Sequence, residues 1–401
     1  MFDNNKRLFE GKILGNKKRI IYSDLGVQPN KTHFSGASPP EVFVGRFNYP
    51  HVNAGILSPE VYEGTEAMSY PEVWYEKKFS IYDILSRRGQ LIYGKFKVNT
   101  KKTYSGKFLN IMQELSLAYK SVSTEFFLKK PPAKSLEISR FSPIIANPAP
   151  LDHARLQENP KVKPKVDYIV SDTQVKAADA IRELYKSQIA ISNINKILST
   201  GLLGQQTRRR LVPTRWSITA VDDTISKNFL ENIRHYEEIN EILLFNEEYN
   251  GNHYEILLLP GNFSFEVIEA EIKFGEIKFW QDFELFHGRK YYANNVVGAY
   301  YANRVAVCEY LEKIKKQATA IFFREVRPDY YAPLGVGILR ECTRDAFRKT
   351  PERFATIDQA LQQAQIRLKL PIKVFREKSI LLKEYGKQKK LTQWFYKRNF
   401  Y

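Results

Sequence analysis

Cysteine is almost missing from this chain: Cys308 and Cys342 are the two present in 401 residues. Two thiols cannot complete a four-ligand zinc site, and no CxxC pair occurs, so no metal site is expected. Both thiols are expected to be buried and inert, in a reducing cytosol. Long hydrophobic runs are lacking as well, which leaves no candidate membrane span. The opening residues, MFDNNKRLFEGK, lack the apolar stretch of a secretory signal. No internal repeat is visible, and neither a GxGxxG nor a Walker-type loop gives local support for nucleotide binding. Acidic side chains are the scarcer charge, 44 Asp+Glu against 62 Lys+Arg, for a net charge of +18. That surplus attracts polyanions, so nucleic acid is the expected partner, ahead of an anionic membrane surface.

What is present suffices for folded cores. Apolar residues make up 43% and aromatic residues 13% of the chain, which excludes a disordered protein. In SPPEVFVGRFNYPHVNAGILSP (38–59), Val42, Val44 and Phe47 predict a strand, Asn48-Tyr49-Pro50 a turn, and Val52–Leu57 a second strand. Arg46 lies among these residues, facing solvent or paired in a pocket. A helical stretch from 74, a strand over Gln90–Val98 and a helix over Lys107–Ser121 follow. Gln174–Ser199 reads as one amphipathic helix with Ile181, Leu184, Ile189 and Ile197 inward. Asp222-Asp223 is expected to open the next helix, three strand-like runs lie within 254–286, and a helix fits Arg304–Lys316. A strand follows at Ala318–Val326. Thr356 with Gln359 has the pattern of a capping box. The expected class is α+β, with helices and a largely antiparallel sheet. The expected organisation is an N-terminal α+β domain (1–128), a Pro/Lys-rich extended connector (129–167), a C-terminal α+β domain (168–385) and an exposed tail (386–401).

Several clusters carry residue types suited to chemistry. Arg208, Arg209, Arg210, Arg215 and Trp216 fall within nine residues, and guanidiniums beside an indole suit a phosphate backbone with a stacked base. A solvated charge run is the plainer alternative. Asp222 and Asp223 are paired carboxylates of the kind that bind Mg²⁺ in a nuclease, although Asp ahead of an apolar-periodic run is also an ordinary N-cap. His51, His153, His253 and His287 are scattered without metal-ligand spacing; His287, at a strand end, is the best catalytic candidate among them. Glu325, Arg327, Asp329 and Tyr330 could line a polar pocket or form a structural ion-pair network.

The tail holds QKKLTQWF (388–395). Gln388, Leu391 and Trp394 recur every three residues, so one turn of 3₁₀ helix would carry them on one face with Phe395 alongside. Such an aromatic plug on a Lys-rich tail fits a peptide that folds into a pocket on another protein. The stretch matches the Q-x-x-L-x-x-aromatic-aromatic motif by which replication and repair proteins bind the sliding clamp PCNA. SPPEVFVGRFNYPHVNAGILSP, RFSPIIANPAP and RRRLVPTRWSITAVDDTIS resemble the Nre family of archaeal DNA-repair proteins over nearly the whole chain. The resemblance implies a DNA repair factor that works with PCNA. It also implies an N-terminal Cys-rich finger, and here residues 6–20 hold no cysteine. The expected function is therefore a repair protein recruited by PCNA and holding DNA on a basic surface, in the cytoplasm with the nucleoid. The alternatives are a DNA-processing enzyme, with Mg²⁺ if a nuclease, and a non-catalytic adaptor.

Overall fold

The computed structural model describes residues 19–20, 31–102, 106–138, 143–273 and 276–387. The chain divides into two compact units, Met1–Asn228 with Tyr331–Glu341, and Phe229–Tyr330 with Cys342–Tyr401. Each is α+β, as the sequence pattern predicts.

The first unit contains β1 (Arg19–Ile20), β2 (His33–Ser38), β3 (Glu41–Val44), β4 (His51–Ser58), α1 (Pro71–Glu76), α2 (Ile81–Gly89) and β5 (Ile92–Asn99). It continues with α3 (Lys107–Leu117), β6 (Val122–Leu128), β7 (Leu136–Glu137), β8 (Ile145–Ala146) and β9 (Pro148–Leu156). Then come α4 (Pro164–Ser171), α5 (Ala177–Lys186), α6 (Ile191–Ser199) and the start of α7 (Thr214–Ile233). Six strands form one sheet in the order β2-β6-β9-β5-β4-β3, antiparallel except between β5 and β9. Successive residues of a strand face opposite sides. Val44, Val52, Ala54 and Ile56 therefore point inward against Leu109, Met112 and Leu115 of α3. His51 and Asn53 point outward, with Lys97 directly across from Asn53.

The second unit contains β10 (Ile242–Tyr249), β11 (Asn252–Leu259), β12 (Ser264–Lys273), β13 (Glu276–Glu284), α8 (Val297–Ile314) and β14 (Thr319–Val326). It ends with α9 (Val336–Ala346), whose first residues belong to the other unit, β15 (Glu352–Phe354), α10 (Ile357–Arg367), α11 (Ile372–Lys378) and α12 (Ile380–Glu384). Its sheet runs β13-β12-β14-β11-β10-β15, parallel at β12/β14 and otherwise antiparallel. Every residue of β11 and β14 is buried, because both faces are covered. Leu257, Ile321 and Phe323 meet Leu361 and Phe375 on one face; on the other, Phe265 packs against Tyr300 and Phe322 at ring distances of 4.9 and 5.3 Å. Thr356 and Gln359 form the expected capping box at the start of α10.

Three local expectations are corrected. The segment 129–167 is no extended connector: it supplies β9, a central strand between β6 and β5. Proline is tolerated there because Pro148 and Pro150 sit at the strand's beginning. The helix expected over Gln174–Ser199 is two helices, α5 and α6, separated at Gln188, whose φ of 59° cannot continue a right-handed helix. Asp222-Asp223 does not open a helix; both lie in the middle of α7, which begins eight residues earlier at Thr214.

Candidate nucleic-acid interface

Three segments of the first unit are joined at one buried residue. The Thr100 N–H donates to Pro50 O (2.9 Å), and its own carbonyl accepts from the Leu211 N–H (3.0 Å). The turn between β3 and β4 is tied a second time, where the Val44 N–H donates to Thr214 Oγ1 at 2.9 Å. The consequence is that residues far apart in sequence share one surface. Arg46 and Phe47 come from the turn, Lys101 and Lys102 follow Thr100, Arg210 precedes Leu211, and Arg215 and Trp216 open α7.

This surface carries cations and bare rings together. Phe47 is 73% exposed, Trp216 45% and Tyr49 44%. Large aromatics normally contribute to cores, and an exposed group of three makes this surface a candidate for contact with another molecule. The Tyr49 and Trp216 rings pack on each other with centroids 5.3 Å apart, and the Arg46 guanidinium lies 5.4 Å from the Phe47 ring. Burial, and then the neighbouring Arg46 charge, pull the Arg215 pKa below its ordinary value. Guanidiniums on one surface beside open rings suit a phosphate-bearing strand.

The run Arg208-Arg209-Arg210 splits into two roles. Arg208 and Arg210 are exposed. Arg209 is buried, donating from Nε to Gly204 O (2.8 Å) and from Nη2 to Val170 O and Asp172 O (2.8 and 2.9 Å). Its guanidinium braces the loop and is not available to DNA.

The carboxylates proposed for metal chemistry are spoken for. Asp222 is fully buried and takes both oxygens to Arg340 Nη1 at 2.8 and 2.9 Å. Asp223 pairs with Lys227 one turn on, at 2.8 Å. In the second unit Glu325 is fully buried. It accepts from Arg327 Nη2 (2.9 Å) and from the backbone N–H groups of Lys369 and Leu370 (3.1 and 2.7 Å). Glu325 thus fixes the chain after α10, while Asp329 lies exposed in the turn packed against Gly251. His287 is exposed, its ring edge-on to Phe286. Among the described residues no three His, Cys, Asp or Glu side chains group as a metal site. The tail residues Gln388, Leu391, Trp394 and Phe395 lie outside the described residues.

The sequence reading missed a polar cleft beside this surface. Ser192, Asn195, Lys196 and Ser199 recur at i, i+3, i+4 and i+7, so they share one face of α6, and all four are buried. The spacing is present in ISNINKILS, but the apolar stripe of the same helix has the same period, so the pattern alone does not mark a polar face. Glu41 stands at the cleft with Oε2 3.3 Å from Lys196 Nζ and Oε1 3.4 Å from the fully buried Arg88. Burial works against the Lys196 charge; Tyr70 and Glu41 outweigh it and leave the pKa above the ordinary lysine value.

Comparison with known proteins gives a consistent answer. Residues 14–275 match the family described as "Archaeal Nre, N-terminal", and residues 284–394 match "Archaeal Nre, C-terminal". The chain is 34% identical to "DNA repair protein NreB" of Archaeoglobus fulgidus over 365 residues, covering 90% of this chain and 91% of that protein. It is 35% identical to "DNA repair protein NreA" of Haloferax volcanii over 365 residues, covering 86% of each. It is also 35% identical to "DNA repair protein NreA" of A. fulgidus over 341 residues, covering 82% of this chain and 84% of that one. No solved structure matches. With both halves matched and the relatives aligned nearly end to end, the chain belongs to the archaeal Nre family.

Proposed function

We propose that this protein acts in DNA repair, holding DNA on the surface around Arg46 and Arg215 and reaching it through the sliding clamp PCNA. The repair role follows the names carried by its relatives. The observation that carries DNA binding is the cations Arg46 and Arg215 beside the exposed rings of Phe47, Tyr49 and Trp216, with Arg46 5.4 Å from the Phe47 ring and Trp216 5.3 Å from the Tyr49 ring. Cations alone suit any polyanion; cations interleaved with open aromatic faces suit a strand whose bases can stack. Arg208, Arg210, Lys101 and Lys102 extend the positive field. Recruitment rests on the tail motif, with Gln388, Leu391, Trp394 and Phe395 as the clamp-binding residues. Among the described residues no helix is long and apolar enough to cross a membrane.

The test is a salt titration of single-stranded DNA binding, followed by fluorescence anisotropy. Each phosphate contact contributes about 0.7 to the slope of log K against log salt. Arg46→Ala with Arg215→Ala should lower the slope by about 1.4, and Trp216→Ala should weaken binding by about 1–3 kcal/mol with the slope kept. A wild-type slope in the double variant removes this surface from the reading. Recruitment is tested separately: Leu391→Ala with Trp394→Ala should abolish capture by immobilised PCNA while DNA binding persists, and undiminished capture refutes the tail assignment.

A further inference from the structure

The cleft beside α6 has unused hydrogen-bonding groups in a place where such groups are costly. Asn195 and Ser192 are both more than nine-tenths buried and both line the cleft, yet among the described residues Asn195 Oδ1 and Ser192 Oγ have no hydrogen-bond partner. An unsatisfied buried polar group costs about 1–3 kcal/mol, so Asn195 Oδ1 and Ser192 Oγ, with Lys196 Nζ beside them ion-paired to Glu41 but also without a hydrogen bond among the described residues, point to a ligand that completes them. The opposite walls are apolar, formed by Val42, Pro71, Trp74, Ile218 and Val336. Trp74 Nε1 is already committed to Ala67 O at 2.7 Å, which leaves its ring as a nonpolar wall. Mostly apolar walls with a few convergent polar groups are the usual make-up of a small-molecule site.

The charges say what kind of molecule fits. The cations Arg88, Lys196 and Arg340 are matched by Glu41, Asp222 and Glu341, the last 3.8 Å from Arg340 Nε. An anion entering here would meet no net positive charge and would face the Glu41 carboxylate. An uncharged planar ring with both donors and acceptors on its edge meets the amide of Asn195, the hydroxyl of Ser192 and the apolar walls without penalty. The cavity measures about 70 Å³. At roughly 10–15 Å³ per water position, it has room for about five to seven waters, which suits one heteroaromatic ring system with any attached sugar-phosphate outside. The cleft adjoins the basic surface, because Thr214 both lines it and accepts from Val44, two residues before Arg46, and Arg215 and Trp216 follow it in α7. Gly337 closes the lip, where a Cβ would stand 2.6 Å from Pro71 Cγ.

We infer that this cleft binds a single nucleobase, read by Asn195 and Ser192, with its sugar and phosphate outside. The base is either that of a free nucleotide or one turned out of a DNA strand; the second source rests on the DNA-binding reading above, whereas the base site itself does not. Turning out a base costs a few kcal/mol, least where pairing is already lost.

The experiment uses the full chain. Saturation-transfer NMR with the four deoxynucleosides and their 5′-monophosphates reports free bases. A duplex with 2-aminopurine opposite an abasic site reports an extruded base through its fluorescence, while anisotropy of a labelled strand reports DNA binding. Base protons should receive more saturation than sugar protons, or 2-aminopurine emission should rise severalfold, and the responding arm identifies the source. Asn195→Leu, which removes an atom without a partner, and Ile218→Trp, which fills the cleft, should each weaken the response at least tenfold with anisotropy unchanged. The inference is overturned if neither arm responds while DNA is bound, or if both variants respond as the wild type does. Nucleosides bound without DNA binding would instead refute the DNA-holding surface and keep the base site.

Discussion

Asp222 separates a structural reading from a metal-centred one. Asp222 is fully buried and Arg340 is 2% exposed, and the pair is held at 2.8 and 2.9 Å. Replacing Asp222 by Ala removes the carboxylate that holds Arg340 Nη1 through both oxygens, and breaking such a buried pair costs about 3–5 kcal/mol. Amide hydrogen exchange of a peptide covering 214–228 reads this locally. With tenfold per 1.4 kcal/mol, protection should fall by between about one hundred and several thousand-fold. Asp222→Leu with Arg340→Met removes both charges and should recover most of that loss, since an apolar replacement of a buried pair is often neutral or stabilising. Exchange in Asp222→Ala that matches the wild type, together with loss of an Mg²⁺-dependent cut on DNA, would refute the structural role and restore the carboxylate to a metal site.

Two further outcomes follow from burial. Arg209→Ala should destabilise the first unit by about 1.5–3 kcal/mol in urea, through three lost carbonyl contacts, while leaving the salt slope of DNA binding intact; Arg208→Ala and Arg210→Ala should show the opposite pattern, and equal behaviour of the three arginines would contradict the split. Cys308 and Cys342 are buried, and burial pushes the Cys308 thiol pKa far up. Neither should react with a thiol-specific reagent in the native protein, and both should react once urea unfolds it; rapid native labelling would show that the thiols are accessible.

The acidic candidates could be read in sequence either as chemical groups or as structural ones. Asp222 and Glu325, and likewise Glu41, which the sequence did not single out, are carboxylates near basic or aromatic residues. Only the packing reveals that Arg340, Arg327 and Arg88 neutralise them. Buried ion pairs produce the same local composition as a catalytic cluster, so composition alone could not tell them apart.

Much of the architecture was legible because it depends on neighbours in sequence. Alternation in 42–57 marks two strands, since side chains of a strand alternate by geometry. Thr356 and Gln359 cap a helix because they stand three residues apart. The charge of +18 and the QKKLTQWF tail are likewise properties of the chain as written. Other features required distant residues to meet. Proline-rich 148–156 becomes a central strand because β5 and β6 supply its partners. The segments that carry Arg46 and Arg215 are brought together by the clasp of Val44 with Thr214. Asn195 and Ser192 become unsatisfied only when walls from β3, α1 and residues 334–340 enclose them. Period and propensity act over a few residues, whereas burial, charge pairing and enclosure are set by which segments the fold brings together.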